Sequence, residues 1–339
     1  MSDVMPAGLG GAAWAEADLR YLITLQPDQA RNWLIEQAGP GDAGLLQLCS
    51  AALGAAEPLP DLAGALLDLA AELLPDAQDE PGVRGSIAYA RARHRLVTGE
   101  PAEAEQSLRA AQAAWQTEQW GPSRARSYLG LTQILAEQGR YAEAEAAVRT
   151  AVAELSDLAD EQPALQPLLV VAWSNLANLY SVQDRHADAL PAFDAAAALL
   201  DEMAEEDRDA QYELAHLELN RAVSWMYLDE IAAAEAALVA AADRFAAQGD
   251  ALNRGRARTN LGALLARTGR YGEAIEAFNR AADDLLGPDA FAAGERAGDL
   301  RLDRLRQADM LFLEQAGVYL ALNLLAEAEA ALDRAERIF

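Results

Sequence analysis

The sequence predicts an all-α chain built as an array of antiparallel helix hairpins. Three observations carry that reading. The 339 residues are rich in Ala, Leu, Glu and Arg and only 6% aromatic, a composition that favours helix over strand. Six turn-forming residues, Gly99, Gly139, Asp184, Asp229, Gly269 and Asn323, follow one another at intervals of 40, 45, 45, 40 and 54 residues. Around each of them the same pattern of small and bulky side chains returns, and self-similarity at such a period marks a repeat array.

Residues 1 to about 80 do not keep the pattern. "GAAWAEADLRYLITLQP", "DQARNWLIEQA", "AGLLQLCSAALG" and "LPDLAGALLDLAAELLP" each place apolar residues at helical spacing, with Pro and Gly clusters between them. This region is expected to be an N-terminal cap of degenerate repeats, joined at "DAQDEPG", 76–82, to about six hairpins over 83–339.

Each of the six markers is Gly, Asp or Asn, the residues that tolerate the left-handed conformation just past a helix C-terminus. Seven residues before the marker stands a small residue: Ala92, Thr132, Ala177, Ala222, Gly262, Ala316. Five after it is Ala every time, from Ala104 to Ala328, and twelve after it Ala again, from Ala111 to Ala335. Nine after it is a bulky apolar residue: Leu108, Val148, Phe193, Leu238, Phe278, Leu332. The small residues are read as the crossing point of two antiparallel helices, with the large one filling the gap beside them. Gly262 belongs to that crossing even though Gly inside a helix costs about 1 kcal/mol relative to Ala. Gly269 is the turn, and Gly272 is read as merely tolerated. "LLGPDAFAAGERAGD" lengthens the interval before the last marker and is expected to be a loop.

This pattern resembles the tetratricopeptide repeat, whose small–aromatic–small signature is matched in "NLGALLARTGRYGEAIEAFNRA" and "YLGLTQILAEQGRYAEAEAAVRTA". The resemblance covers about Ser86 to Phe339. It implies a right-handed superhelical solenoid of helix hairpins whose first helices line a concave groove. The period exceeds the usual 34 residues, which points to longer helices, similar to the variant found in kinesin light chains. HEAT-type repeats share the period but not the Ala spacing. "EQAGVYLALNLLAEAEAALDRAERIF" is similar to helical arrays that precede CHAT caspase-like protease domains in bacteria. The chain stops at Phe339 inside the second helix of its sixth repeat, without the polar capping helix a solenoid needs. The expectation is a longer native chain with a C-terminal effector domain, or a homodimer that covers the open face.

Composition narrows the function. The formal charge is −27 and the 27 basic residues are all Arg. Lysine chemistry is therefore excluded, and duplex DNA or an anionic membrane is repelled overall. The one cysteine, Cys49, allows no disulfide framework and sits on an apolar helix face as a small hydrophobe. "MSDVMPAGLGG" is not a secretory signal and no apolar run nears the ~18 residues that span a bilayer, so the chain reads as cytoplasmic. His94, His186 and His216 fall in different repeats without metal-ligand spacing. No catalytic residue, metal or cofactor is expected.

The sharper signal is asparagine. Nine residues before the marker stand Asn175, Asn220 and Asn260, in three consecutive repeats. In the tetratricopeptide resemblance they form a ladder along the groove. An amide offers donors and an acceptor together, so it can pair with the backbone of an extended peptide whatever its sequence. The alternative is that each Asn bonds a neighbouring helix and fixes the stacking angle. Helical spacing adds Ser174, Asn178, Tyr227, Arg256 and Arg267, with Arg126 and Gln133 as equivalents in the second repeat. "NRGRAR" puts Arg254, Arg256 and Arg258 at alternate positions, so they cannot all face one way. Arg126, Arg256 and Arg267 invite a carboxylate or an acidic peptide, unless they are spent on internal ion pairs. The expected partner is a protein or extended peptide, with self-association as the competing role.

Overall fold

The computed structural model describes residues 14–204, 207–287 and 302–338. Most of the expected loop "LLGPDAFAAGERAGD" lies outside the described residues, and so does "MSDVMPAGLGG". Among the described residues the chain is all α, with sixteen α-helices and no strand. It divides into two compact units, Met1–Asn175 and Leu176–Phe339.

In the first unit α1 (Glu16–Leu22), α2 (Pro27–Ala38), α3 (Ala43–Ala55) and α4 (Pro60–Leu73) precede two long hairpins. These hairpins are α5 (Glu80–Val97) with α6 (Pro101–Ala114), and α7 (Gly121–Glu137) with α8 (Tyr141–Glu161). Prolines stand in the first turns of α2, α4, α5, α6 and α7, where the missing N–H costs nothing. The apolar faces of α1 to α5 share one core that includes Leu22, Leu48, Leu66 and Val83. Cys49 lies in it, 1% exposed, and burial pushes its thiol up to about 12. It is therefore a neutral, small hydrophobe, as its helix face suggests. Trp115 is buried after α6, its indole N–H donating to the Gly82 carbonyl at 3.0 Å and its ring stacked on Trp120. This ties the end of the α5–α6 hairpin to the start of α5.

Helix α9 (Gln166–Ser181) contains the boundary between the units. The second unit continues with α10 (His186–Ala204), α11 (Arg208–Tyr227), α12 (Ile231–Gln248), α13 (Ala251–Arg267) and α14 (Tyr271–Leu286). It ends with α15 (Leu302–Ala321) and α16 (Leu325–Glu336). The extra residues of the long period go into helix length: α8 has 21 residues, α11 has 20 and α12 has 18.

All six turn markers are left-handed, with φ of 82° at Gly99, 72° at Gly139, 58° at Asp184, 62° at Asp229, 75° at Gly269 and 58° at Asn323. At each, the next residue's N–H closes a bond back to the carbonyl five residues earlier, as in Arg140 to Leu135 at 2.9 Å and Arg270 to Leu265 at 2.9 Å. This six-to-one bond satisfies a carbonyl the ending helix would leave orphaned. The chain then re-enters helix within two residues.

The crossing is where the pattern placed it. Ala104, Ala144, Ala189, Ala234 and Ala274 are 0% exposed, and Phe193 and Phe278 are too. A Cβ built on Gly262 would stand 2.6 Å from Cε1 of Phe278, so the ring occupies the space an alanine methyl needs. Gly272 has nothing within 4 Å of such a Cβ. One large residue departs from its expectation: Leu332 is 45% exposed, because no described helix packs across that side of α16.

Gly262→Ala is expected to destabilise the protein by about 1–3 kcal/mol through overpacking against Phe278, outweighing the gain in helix propensity. Gly272→Ala is expected to stabilise it by roughly 0.5–1 kcal/mol. Urea unfolding of the two variants checks this, and shifts of equal sign would contradict the crossing geometry.

Candidate functional site

In the second unit the register that builds the crossing turns one face of α11 and of α13 largely away from the core. In the second unit α11 lies beside α13 and α13 beside α15. On α11, His216, Asn220, Val223 and Tyr227 recur at steps of three and four residues, which is one helix face. On α13 the same register holds Arg256, Asn260, Ala263 and Arg267. His216, Asn220, Arg256 and Asn260 are half-buried, and Tyr227 is 68% exposed. The face is thus a polar strip with apolar flanks.

Two of the asparagines meet. Asn220 donates from Nδ2 to Oδ1 of Asn178 on α9 at 3.4 Å, a long bond. Asn260 has no hydrogen-bond partner among the described residues. Tyr227 turns toward the start of α10 and stacks on His186, centroids 4.2 Å apart and planes within 10°. His186 is buried and its Nδ1 shares a hydrogen bond with the Ser224 hydroxyl at 3.2 Å. Asp184, Arg185, Asp188 and Tyr227 line a shallow depression around it.

At the other end of the strip a relay joins α11 to α13. Asp250 caps α13 by accepting the Asn253 backbone N–H at 3.0 Å. Its carboxylate also accepts from the Tyr212 hydroxyl at 2.6 Å and from Asn253 Nδ2 at 2.6 Å. Arg256 then donates to Asn253 Oδ1 at 3.0 Å. Burial pushes the Asp250 carboxyl up, but the Asn253 backbone N–H, the Tyr212 hydroxyl and the Asn253 amide outweigh it and hold it below its ordinary value. The bond to Asp250, with burial, raises Tyr212. Burial lowers His216, whose ring stands edge-on to Tyr212 and Phe245, and the charge of Arg256 lowers it further against Glu213 and Asp250. The imidazole is therefore neutral at neutral pH.

The three arginines of "NRGRAR" divide as their spacing requires. Arg254 and Arg258, one turn apart, both clamp the buried Asp284 of α14, at 2.6 and 2.7 Å. Arg256 faces the strip and pairs with no carboxylate among the described residues. Arg267 donates to the Met226 carbonyl at 2.9 Å and reaches Asp229 at 3.4 Å.

In the first unit Arg126 on α7 is half-buried, with no hydrogen bond or ion pair among the described residues. Gln133, two turns along, donates to Glu137 at 3.1 Å. Ser174 and Asn175 stand half-buried on α9 at the end of this unit. Tyr212, His216, Asp250 and Asn253 were not singled out for the groove from sequence. Extending the α11 and α13 faces back from Asn220 and Asn260 by four and seven residues reaches His216 and Asn253. The signal for Asp250 is its place as an N-cap.

The tetratricopeptide repeat family model matches residues 255–283, most of the α13–α14 hairpin. No curated protein sequence matches the chain. Among solved structures it is similar to the apo form of RapI, with a TM-score of 0.63, 12% identity, and 95% of each chain covered. It is similar to aspartyl phosphate phosphatase F from Bacillus subtilis, with a TM-score of 0.55, 14% identity, and 94% of this chain and 78% of that one covered. BtubC (BKLC) from P. vanneervenii aligns with a TM-score of 0.52, 22% identity, and coverage of 78% of this chain and 91% of that one. At these identities the likeness is one of fold.

The Asp250 relay has a pH signature. A carboxyl held below its ordinary value contributes stability that is complete above the ordinary carboxylate range and is lost as pH falls through the depressed value. Asp250→Asn is expected to cost about 1–2 kcal/mol at neutral pH, since one of the two accepting oxygens becomes an NH2 that cannot accept and the bonds that remain lose their charge assistance. Its stability is also expected to fall less steeply than wild type below about pH 4. Urea midpoints followed through the acid range test this; parallel profiles would remove Asp250 as the source.

Proposed function

We propose that this chain is a non-catalytic scaffold that binds an extended peptide or protein segment along the polar strip of its first helices. The observation that carries the reading is the register itself. Asn220 and Asn260 recur at one position of consecutive repeats, half-buried on a face the core does not use. A half-buried amide is positioned by its helix yet still open to a ligand, and it can satisfy donor and acceptor of a peptide unit together. Within the second unit Asn178 and Tyr227 flank the strip, and Asn175, beside Ser174 in the first unit, holds the equivalent place in the sequence of the preceding repeat. The 3.4 Å contact between Asn220 and Asn178 is long enough to exchange for a better ligand bond.

Arg256 adds a preference. It is held by an amide oxygen, so its charge remains available to a carboxylate. Arg126 is its counterpart in the first unit, and Gln133 extends that face. Arg267 is engaged with a carbonyl and an exposed acid that a ligand can displace. The favoured ligand is thus an extended segment carrying an acidic side chain. The finer reading is a sensor or recruitment arm of a larger bacterial system that regulates a CHAT-type protease. The texture of "EQAGVYLALNLLAEAEAALDRAERIF" supports it.

The test is a peptide-display selection, with a lysate pull-down in parallel. Wild type runs beside an Asn175→Ala, Asn220→Ala, Asn260→Ala variant whose helicity and melting are checked. Each lost amide is expected to weaken binding by roughly fivefold, the equivalent of about 1 kcal/mol. Arg256→Ala is expected to weaken acidic ligands selectively and to reduce the salt dependence of their binding. Identical ligand sets and affinities for wild type and a folded triple variant would remove this face as the site.

A further inference from the structure

The repeat pattern breaks at one place in the second unit, where the ends of α9 and α11 meet the start of α10. Two residues after the marker other repeats carry Tyr141, Ile231 and Tyr271, but this place holds His186. Five before the marker Ile134, Leu179, Leu264 and Val318 are buried and apolar, while the α11 equivalent is the buried Ser224. Three before it Ser181 takes the place of Ala136, Met226 and Ala266. Ser181, Ser224 and His186 join in one chain of hydrogen bonds. Polar groups at buried positions are destabilising unless paired, and departures from a local rule gather at functional sites.

The chain of bonds has a direction. Ser181 donates to the Ala177 carbonyl at 3.0 Å, which uses its one hydroxyl hydrogen. The 3.2 Å bond between the two serines is therefore donated by Ser224. That leaves the 3.2 Å bond between Ser224 and His186 to be donated by Nδ1. In the neutral imidazole Nε2 is then a bare acceptor. It is turned away from Ser224, belongs to a residue only 6% exposed, and has no hydrogen-bond partner among the described residues. A buried acceptor of this kind is destabilising until something donates to it.

The surroundings select the donor. His186 lines an open depression of about 480 Å³ together with Asp184, Arg185, Asp188, Tyr227 and Leu228. Tyr227 stacks one face on the imidazole and is 68% exposed, which leaves its other face to a ligand. Acids in the depression and on the adjoining turn, Asp184, Asp188, Asp229 and Glu230, outnumber Arg185 and Arg267. Arg185 shows what this setting holds well: its Nε donates to Asp188 at 2.8 Å and its Cζ lies 4.3 Å from the centre of the Tyr180 ring. No three His, Cys, Asp or Glu side chains among the described residues come together to hold a metal ion, so the cation that fits is an organic one.

We propose that the depression at His186 receives a basic side chain of the bound segment, which donates to Nε2, pairs with Asp184 and Asp188 and lies against Tyr227. Tyr227 lies outside the core, so a small shift of its ring opens the imidazole edge. The inference rests on the strip reading in one respect, that the base belongs to the same segment as the acid held by Arg256. Tyr227 stands two residues before its marker and Arg256 thirteen before its own. Eleven residues of helix span about 16 Å, so the base and the acid of an extended segment stand at least about five residues apart.

N-acetyl-argininamide is the probe, added to the full chain and followed by NMR of the His186 imidazole. Before it is added, the ring nitrogen shifts are expected to show Nδ1–H and a bare Nε2. Saturable binding is expected, at least about fivefold tighter than that of the neutral N-acetyl-citrullinamide. Asp184→Asn with Asp188→Ala introduces residue types that other repeats carry at these places, as at Asn323 and Ala233, and is expected to weaken binding at least about fivefold. His186→Tyr with Ser224→Leu restores the pattern of Tyr271 and Leu264 in the α13–α14 hairpin. It is expected to keep or raise the melting temperature and to abolish binding. Asn220→Ala with Asn260→Ala is expected to leave the affinity for the arginine amide unchanged, so the depression and the strip fail separately. Nε2–H in the free protein overturns the proposal. So does equal affinity for the citrulline amide, or binding that survives His186→Tyr with Ser224→Leu or is lost with the two asparagines. Inorganic phosphate shifting the same resonances in place of the arginine amide makes this an anion site and overturns it too.

Discussion

Close approach of two helices at a small side chain is the constraint on which each hairpin depends. A left-handed Gly, Asp or Asn reverses the chain, and Ala five and twelve residues later lets the returning helix come down on the first. The large residue between them is accommodated only because its opposite number is small, as Phe278 is over Gly262. Interiors pack at crystal density, so this register leaves little freedom. It also sets which residues are spared from packing. The positions thirteen, nine, six and two before the marker fall on the free face, where His216, Asn220, Val223 and Tyr227, and Arg256, Asn260, Ala263 and Arg267, stand. The candidate site is therefore a by-product of the same repeat that builds the core.

Electrostatics divides the arginines by task. Arg140 joins its own helix at Glu143 to Glu105 of the preceding hairpin, and Arg270 does the same with Glu273 and Glu235. The pairing raises both arginines and lowers Glu143 and Glu273. Exposed pairs of this kind contribute little stability each; their recurrence fixes how one hairpin sits on the next. Arg254 and Arg258 serve the buried Asp284. What remains on the free face, Arg256 and Arg126, has no carboxylate among the described residues. In a chain with twice as many acids as bases, a cation left without an internal acid is the more informative feature.

The turns and the crossing were legible because both are local. Positive φ selects Gly, Asp or Asn at a single position, and helical spacing carries the pattern from there to Ala and Phe. The asparagine series was legible for the same reason, as a period within a period. The relay of Tyr212, Asp250, Asn253 and Arg256 was not. Tyr212 and Asp250 are 38 residues apart, and no periodicity links a tyrosine on one helix to the cap of another. The partnering of Arg267 with the Met226 carbonyl and Asp229 was hidden likewise, since a long side chain can reach the neighbouring hairpin or the groove from the same helix position.

By itself, the sequence determined the helical class, the six left-handed turns, the crossing residues, and which residue types occupy the free face of each first helix. These follow from backbone sterics and from a period of three to four residues per turn. The tertiary structure decided what those residues do once neighbouring hairpins are in place. It paired Asn220 with Asn178 and left Asn260 without a hydrogen-bond partner among the described residues, and it divided three alternate arginines between a buried acid and the open strip. It also left Leu313 and Leu332 exposed at positions that the α11–α12 and α13–α14 hairpins bury. Burial at those positions is a property of the next hairpin, and a repeat pattern read along one chain cannot contain it.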